Sequence, residues 1–327
     1  MEVERSHIDI DPPRLPCFPI SHSTDVGLFA NFVEGKDWLW PSGLTANAWW
    51  TALGRRVVLG GLSAPEAWAS LAYPEKALLT GVTAWGVRLF YRVASRSLRR
   101  GTDDPRYQEV KQKPGFWRRA LFSYFLPEAV FQTFISLPFT LPFRQIGWGF
   151  LPKHIFRSLQ VLAVGLFGAG FALEVLADWQ VEDQKRKDSN LLCSEGVWSI
   201  VRHPNYLGDA LVHASFPLYL VGSGFANPFT FLGPLANYFF LRNVSGDKEN
   251  ERSQEALYLQ GNQFKYEQLQ VYREKKNSFW PRVQEFENPW MWKIIGCGAA
   301  GIVFEESIRM YLGPEFRIQI RCTKWSS

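Results

Sequence analysis

The run from Ile155 to Leu176 constrains this chain more than any other stretch. It is apolar almost without interruption and about as long as a bilayer core asks of a helix rising about 1.5 Å per residue. Gly165, Gly168 and Gly170 leave one flank bare, so a second helix can approach closely there. A chain organised around such a helix is expected to be all-α, a multi-pass transmembrane helical bundle of about five to seven spans, with a cofactor pocket opening on the cytoplasmic side. Ala77 to Val93, Leu121 to Leu141, and a tight hairpin of Ala210 to Gly222 with Pro228 to Leu241 supply further helices. Val57 to Tyr73 and Trp292 to Phe304 read either as spans or as helices lying on a surface. Aromatic residues make up 16% of the chain, 14 of them Trp, which fits rings at bilayer interfaces. The mean hydropathy of -0.14 is low for a simple bundle of long spans. Together these predict short, Gly- and Pro-interrupted spans joined by sizeable polar loops.

The net charge is +5, and its basic residues are clustered. Ser95 to Arg100 and Lys185 to Lys187 each follow an apolar run, the pattern of loops on the cytoplasmic side of a membrane. Nucleic-acid binding is not expected, because no finger spacing or other nucleic-acid module accompanies these clusters. Cys17, Cys193, Cys297 and Cys322 are far apart and form no metal-binding pattern, so reduced thiols and no metal are expected. The N-terminus carries Glu2, Glu4, Asp9 and Asp11 and reads as neither a signal peptide nor a transit peptide. Three regions follow: an irregular arm at 1–50, a helical membrane domain at 51–281, and a C-terminal extension with an apolar helix at 282–327. If the basic loop 95–119 is cytoplasmic, alternating crossings bring Asp178, Lys185 to Lys187, Arg242 and the tyrosine-rich tail to that same side.

The chemistry concentrates in Gly196-Val-Trp-Ser-Ile-Val-Arg-His-Pro-Asn-Tyr-Leu-Gly-Asp209. A guanidinium, an imidazole, a carboxamide, a phenol and a carboxylate fall within about eight residues at the mouth of an apolar helix, where polar groups usually line a filled cavity. Glu174 and Asp178 lie four apart, on one helical face, at the end of the clearest span. Arg88 sits inside an apolar run and is expected to point into the bundle.

Several separated patches then agree with one family. Glu174-Val-Leu-Ala-Asp178-Trp-Gln180, the Gly196 to Asp209 motif, Leu241-Arg-Asn-Val-Ser-Gly246, and Tyr272 through Phe279-Trp-Pro281 resemble, in order and spacing, the steroid 5α-reductase/isoprenylcysteine carboxyl methyltransferase superfamily. They are most similar to its branch of predicted membrane oxidoreductases. Trp85-Gly-Val-Arg-Leu89 and Asp104-Pro-Arg-Tyr107 look like that branch's earlier signature, so the likeness covers roughly residues 75 to 281.

The resemblance implies two chemistries. Its steroid and sterol reductases bind NADPH within the bundle, and Asn205-Tyr-Leu-Gly-Asp209 is similar to their Asn-aromatic-Leu-Gly-acid motif. By position, Asp178, Asn205, Asp209 and Arg242 would hold the cofactor with Tyr206 close by, while Glu174 stands where those enzymes have an asparagine. Its methyltransferases bind S-adenosylmethionine, with a motif like Arg202-His203-Pro204 and a downstream acid that Glu251 would supply. Phosphates need cationic partners, available as Arg202, Arg242, Arg252, Lys275 and Lys276. A sulfonium needs carboxylates and aromatic walls, available as Glu174, Asp178, Asp209 and Glu251 with Trp198 and Tyr206.

The ending Gly208-Asp209 favours the reductase, in which hydride passes to a C=C bond of a steroid-like, sterol-like or other lipid. Tyr206, Tyr266, Tyr272 and His203 are the candidate proton donors, whereas His213 reads as a core histidine. A scaffold or complex subunit that keeps the fold without catalysis is the third expectation, with protein partners reached through the arm and the extension. The lipid bilayer is an expected partner throughout, and the family implies the endoplasmic reticulum.

Overall fold

The computed structural model describes residues 35–101, 111–144, 153–225, 227–244 and 246–323, and among them 84% are helical with no strand. Helix α1 (Gly35–Trp49) runs through a π-turn (Trp50–Gly54) into a last turn (Arg55–Val58). The sequence reading assigns residues up to 50 to an irregular arm; from Gly35 onward they are instead helix, packed on the helix Tyr73–Arg100. Residues 1–34 of that arm lie outside the described residues. A short α2 (Ala64–Ala69) follows, opened by a Ser63–Glu66 capping box. The stretch from Val57 to Tyr73 is thus a turn and a short helix, broken at Gly60-Gly61.

Helix α3 (Tyr73–Arg100) starts with Pro74 in its first turn and ends at Gly101, whose left-handed φ of +67° stops it. Helix α4 (Phe116–Ala120), a π-turn (Leu121–Phe125) and α5 (Leu126–Ile135) lead to a 51° bend into the short α6 (Leu137–Thr140). Helix α7 (Lys153–Lys187) is the axis of the molecule. Helix α8 (Pro204–Gly222) and α9 (Leu232–Phe239) form the expected hairpin, and a π-turn (Phe240–Val244) leads to the polar α10 (Asp247–Gly261) and α11 (Gln263–Lys275). Helix α12 (Pro289–Thr323) absorbs the last apolar run.

The bare flank of α7 serves two neighbours. Gly170 meets Gly208 of α8, where a methyl group on Gly208 would lie 2.5 Å from the Gly170 carbonyl oxygen. Gly165 and Gly168 meet α12, where a methyl group on Gly298 would lie 2.6 Å from the Gly165 carbonyl. One core gathers Trp85, Phe139, Val212 and Phe216 where α1, α3, α6 and α8 meet. A second gathers Leu173, Ala177, Val201, Leu207 and Phe279 around the motif.

Among the described residues, Arg157–Lys187 is able by length and composition to cross a membrane, and the bent pair Phe116–Ile135 with Leu137–Phe143 adds a second candidate. That is fewer than the five to seven spans expected, because α3 carries Glu75, Lys76, Arg88 and Arg92, and α8 carries Asn205, Asp209 and His213. Only 28% of the apolar window in α7 is buried, so α7 is unlike the core helix of a soluble domain.

Candidate functional site

The motif folds as a loop nailed to three helices. Gly196 takes φ of +68°, and a side chain there would collide with Gln180, whose Oε1 accepts the Val197 N–H at 2.9 Å. Trp198 Nε1 donates to the Ala177 carbonyl of α7 at 3.1 Å. The Tyr272 hydroxyl, from α11, donates to the carbonyls of Trp198 and Val201. Two backbone bonds complete the clamp: Arg202 N–H to Asn277 carbonyl at 2.9 Å, and His203 N–H to Ser278 carbonyl at 3.0 Å. Pro204 then starts α8, so residues 205, 209 and 213 stack along one face of it.

Glu251 of α10 is the hub of the outer centre. Arg202 donates to both its oxygens, at 2.9 and 3.2 Å, and His203 Nε2 lies 2.9 Å from Oε1. Arg273 adds a second guanidinium at 3.3 Å. Burial works to raise the Glu251 pKa, but the hydrogen bonds from His203 and Arg202 outweigh it and bring it down to about 2. His203 stacks on Tyr206 with ring centroids 5.4 Å apart, and Asn250 donates to the Tyr206 hydroxyl at 3.1 Å.

This hub forms one wall of a cavity of about 140 Å³, which Lys185, Arg202, His203, Asn205, Glu251 and Lys265 line together with Trp198, Tyr258 and Tyr272. Lys265 donates to the Ser189 carbonyl at 3.0 Å and sits 5.0 Å over the Tyr258 ring. Burial, and then the nearby Lys185, push its pKa down. Cys193 shares the lining, and burial raises its thiol to about 11, which leaves it protonated and unreactive. A shallower depression of about 410 Å³ adjoins it through Leu192 and Tyr272 and carries Lys275 and Lys276.

The inner centre lies one helical turn deeper. The Asp209 carboxylate accepts from Trp85 Nε1 and from Asn237 Nδ2, both at 2.9 Å. Arg88 of α3 bridges Glu174 and Asp178, and Arg92 adds a contact to Asp178 at 3.3 Å. Arg92 and Arg99 then reach Glu182, so α3 and α7 are laced together by ion pairs over two turns of helix.

Of the residues singled out from the sequence, Arg202, His203, Asn205, Glu251 and Tyr272 meet at the cavity, with Tyr206 behind His203. Glu174, Asp178 and Asp209 face the inner centre instead, because the guanidinium of Arg88 and the donors Trp85 and Asn237 claim their oxygens. Arg242 pairs with Asp247, bonds Ser278 Oγ at 2.9 Å and stacks on Phe279. The expectation that Asp178, Asn205 and Arg242 close on one pocket is therefore corrected: only Asn205 lines it. Tyr272 is corrected as a proton donor, since its hydroxyl proton is committed to backbone carbonyls. Asn237, Asn250, Arg273 and the cavity roles of Lys185 and Lys265 were not found from the sequence. Asn250, Lys265 and Arg273 sit in polar helices, where one more polar residue gives no signal of its own, whereas Asn237 is a polar exception in the apolar α9.

Residues 30–272 match the family described as "Protein of unknown function (DUF1295)". The chain belongs to that family, which is associated with steroid 5α-reductase-like proteins. Comparison with curated proteins and with solved structures gave no match. The matched region takes in the inner centre, all of the outer centre but Arg273, and both basic segments, and ends within α11, before α12.

Proposed function

We propose that this protein is a membrane-embedded, NADPH-dependent reductase acting on a C=C bond of a steroid-like, sterol-like or other lipid. The charge balance of the cavity carries this reading. Lys185, Arg202 and Lys265 set three cations against the single carboxylate of Glu251, and that carboxylate is already saturated by Arg202, His203 and Arg273. Such a lining attracts the phosphates of a dinucleotide and repels a sulfonium, which argues against S-adenosylmethionine. Asn205 also lines this space, and its buried carboxamide oxygen has no hydrogen-bond partner, which leaves an acceptor for a hydroxyl or amide of the dinucleotide rather than for its phosphates. The residues thus fit the anionic half of NADPH. The cavity is smaller than the roughly 300–1,000 Å³ of a ligand site, and the adjoining depression offers the remaining room.

NADPH, when bound, supplies hydride. The chain's part is to hold the phosphates through Lys185, Lys265 and Arg202, and to orient the cofactor through Asn205. Tyr206 and His203 are its candidate proton donors. Lys275 and Lys276 edge the neighbouring depression.

A multi-pass arrangement in the endoplasmic reticulum membrane, with this cavity on the cytoplasmic side, belongs to the same proposal. Two features support a membrane setting with this sidedness: the sparse burial of α7, and the gathering of Arg92, Arg99 and Glu182 with Lys185 to Lys187 at one end of the bundle.

The test is titration of the purified full chain in detergent with NADPH and, separately, S-adenosylmethionine. Saturable NADPH binding, weakened about tenfold in Asn205→Ala by loss of a hydrogen bond to a charged or polar ligand, is expected. Binding of S-adenosylmethionine alone would replace the reductase with the methyltransferase, and binding of neither would leave a scaffold.

A further inference from the structure

The segment that joins α11 to α12 inverts the usual polarity of a protein surface. Glu285 is only 5% exposed and accepts from Lys276 Nζ at 2.6 Å. Asn288 donates both to Glu285 and to Ser199 Oγ of the motif loop, the latter at 2.9 Å. Asn277 and Ser278, just ahead, carry the carbonyls that clamp Arg202 and His203. The apolar side chains are outside: Val283 is 80% exposed, and Trp280, Phe286 and Trp292 are exposed too. Val283 and Phe286 stand three apart in the 3-10 helix Val283–Glu287, so they eclipse one another on one face. The Trp292 indole N–H donates to the Phe286 carbonyl at 2.8 Å, which sets its ring beside them. A segment facing water keeps its acids outside, and a cluster of large exposed apolar groups marks a contact surface.

What covers that surface follows from the course of α12. The helix leaves the segment at Pro289 and lies along α7, the helix able to cross a membrane, meeting it at Gly298 and Gly165. Its outer side stays apolar and exposed from Trp292 through Ile295 and Val303 to Phe304, about 18 Å of helix at about 1.5 Å per residue. The charges beyond turn inward: Glu305 meets Tyr73 and Arg309, and Glu306 pairs with Arg157. The exposed segment thus continues an apolar strip beside a spanning helix, and stands at the end of it where the outer centre lies. Aromatic rings at that level belong to the boundary between headgroups and acyl chains. The nearby cations are occupied within the chain, because Arg282 donates to Asn277 and to the Glu274 carbonyl, and Lys293 sits over the Trp290 ring. The contact therefore rests on apolar area and not on anionic lipid.

We propose that Trp280, Val283, Phe286 and Trp292 form a wedge seated in the boundary between headgroups and acyl chains, which fixes the outer centre at the membrane surface where a lipid substrate is presented. The bonds of Asn277, Ser278 and Asn288 make the wedge and the motif loop one piece. The wedge rests on the membrane-embedded reading of this chain, and its substrate role rests also on the reductase reading.

Dye quenching in the full chain tests the wedge. With the four cysteines replaced by alanine, Val283→Cys, Phe286→Cys and, as reference, Arg252→Cys on the polar α10 are each labelled with nitrobenzoxadiazole and reconstituted into phosphatidylcholine vesicles. Doxyl groups on the upper acyl chain should quench the dye at 283 and 286 several-fold more than at 252, whereas aqueous iodide should quench it most at 252. Iodide quenching at 283 and 286 equal to that at 252 would overturn the proposal. So would a dye shielded from iodide yet untouched by doxyl lipid, which would put a protein, such as a second copy, on the wedge. Where one labelled variant unfolds, the other decides. A chain that does not float with the vesicles would end the membrane reading and the wedge with it.

A second arm follows NADPH oxidation in the same vesicles with an enone-bearing steroid as probe. Val283→Ser combined with Phe286→Ser should raise the KM for the steroid several-fold and leave NADPH affinity unchanged. An unaltered KM would remove the substrate role. Doxyl quenching in a protein that binds no NADPH would keep the wedge and end the reductase reading.

Discussion

The outer and inner centres share a motif yet do opposite things with charge. At the outer centre Arg202, His203 and Arg273 converge on one carboxylate beside open space, and the cations outnumber the acid. At the inner centre two carboxylates converge on Arg88, and a third, Asp209, is held by neutral donors. The first arrangement leaves cationic character for a ligand, whereas the second spends its cation on the fold. A residue's place in a family signature therefore does not decide its work: one turn of α8 separates Asn205, which faces the cavity, from Asp209, which ties three helices together.

Removing the inner cation should produce the largest effect. Arg88→Met leaves Glu174, almost wholly buried, without its counter-charge, and breaking one side of such a pair costs about 3–5 kcal/mol. A large fall in thermal midpoint in detergent is expected, with nucleotide affinity in the surviving folded fraction close to parental. If Arg88→Met keeps its midpoint and loses NADPH binding instead, the inner centre is a ligand site and the contrast collapses.

Acid should find the outer centre next. Glu251 has its pKa depressed from the ordinary 4.5 to about 2, so its contribution is present in full above about pH 4.5 and is lost as pH falls toward 2. With part of the shift screened by solvent, the difference is worth about 1–3 kcal/mol. Unfolding followed from pH 6 to pH 2 should therefore show a steeper loss in the parent than in Glu251→Gln, which has no carboxylate to protonate. Parallel curves for the two proteins would mean that Glu251 is not held by its cations as described.

The helix crossing beneath both centres comes third. A methyl group at position 208 meets the Gly170 carbonyl at 2.5 Å and Glu174 Cγ at 2.8 Å, so Gly208→Ala should cost about 1–3 kcal/mol through overpacking. Gly261→Ala, with open space around it, is the control. Equal stability in the two variants would show that α7 and α8 do not approach this closely.

What could be read in the sequence divides along the same line. The α7 helix, its bare flank, the hairpin of α8 and α9, and the polar motif ahead of α8 follow from local pattern, because apolar period, glycine spacing and turn residues act over a few residues. Partner choice does not. Trp85 meets Asp209 across 124 positions and Arg88 meets Asp178 across 90, and nothing near either residue encodes the other. Arg88 gave half a signal, a charge stranded in an apolar run, which announced a partner without naming it. Residues 35–50 misled because four Trp and a central proline, Pro41, stand among them, yet Pro41 is accommodated inside α1 and the helix is held by packing on α3.

The smallest expected effect is also the sharpest test of which groups face chemistry. Tyr272 lines the cavity, as a proton donor would, but its hydroxyl is spent on the carbonyls of Trp198 and Val201, and burial raises its pKa far above the ordinary value. A phenol so placed holds the motif loop against α11 and gives up its proton to nothing. Tyr272→Phe should thus lower stability by about 1 kcal/mol and leave NADPH affinity and turnover within about twofold of the parent. Tyr206→Phe, by contrast, should reduce turnover if its hydroxyl delivers the proton, and leave it unchanged if His203 does. A turnover loss of a hundredfold in Tyr272→Phe with stability intact would return Tyr272 to the chemistry, and would mean that the loop clamp rests on the backbone bonds of Arg202 and His203 alone.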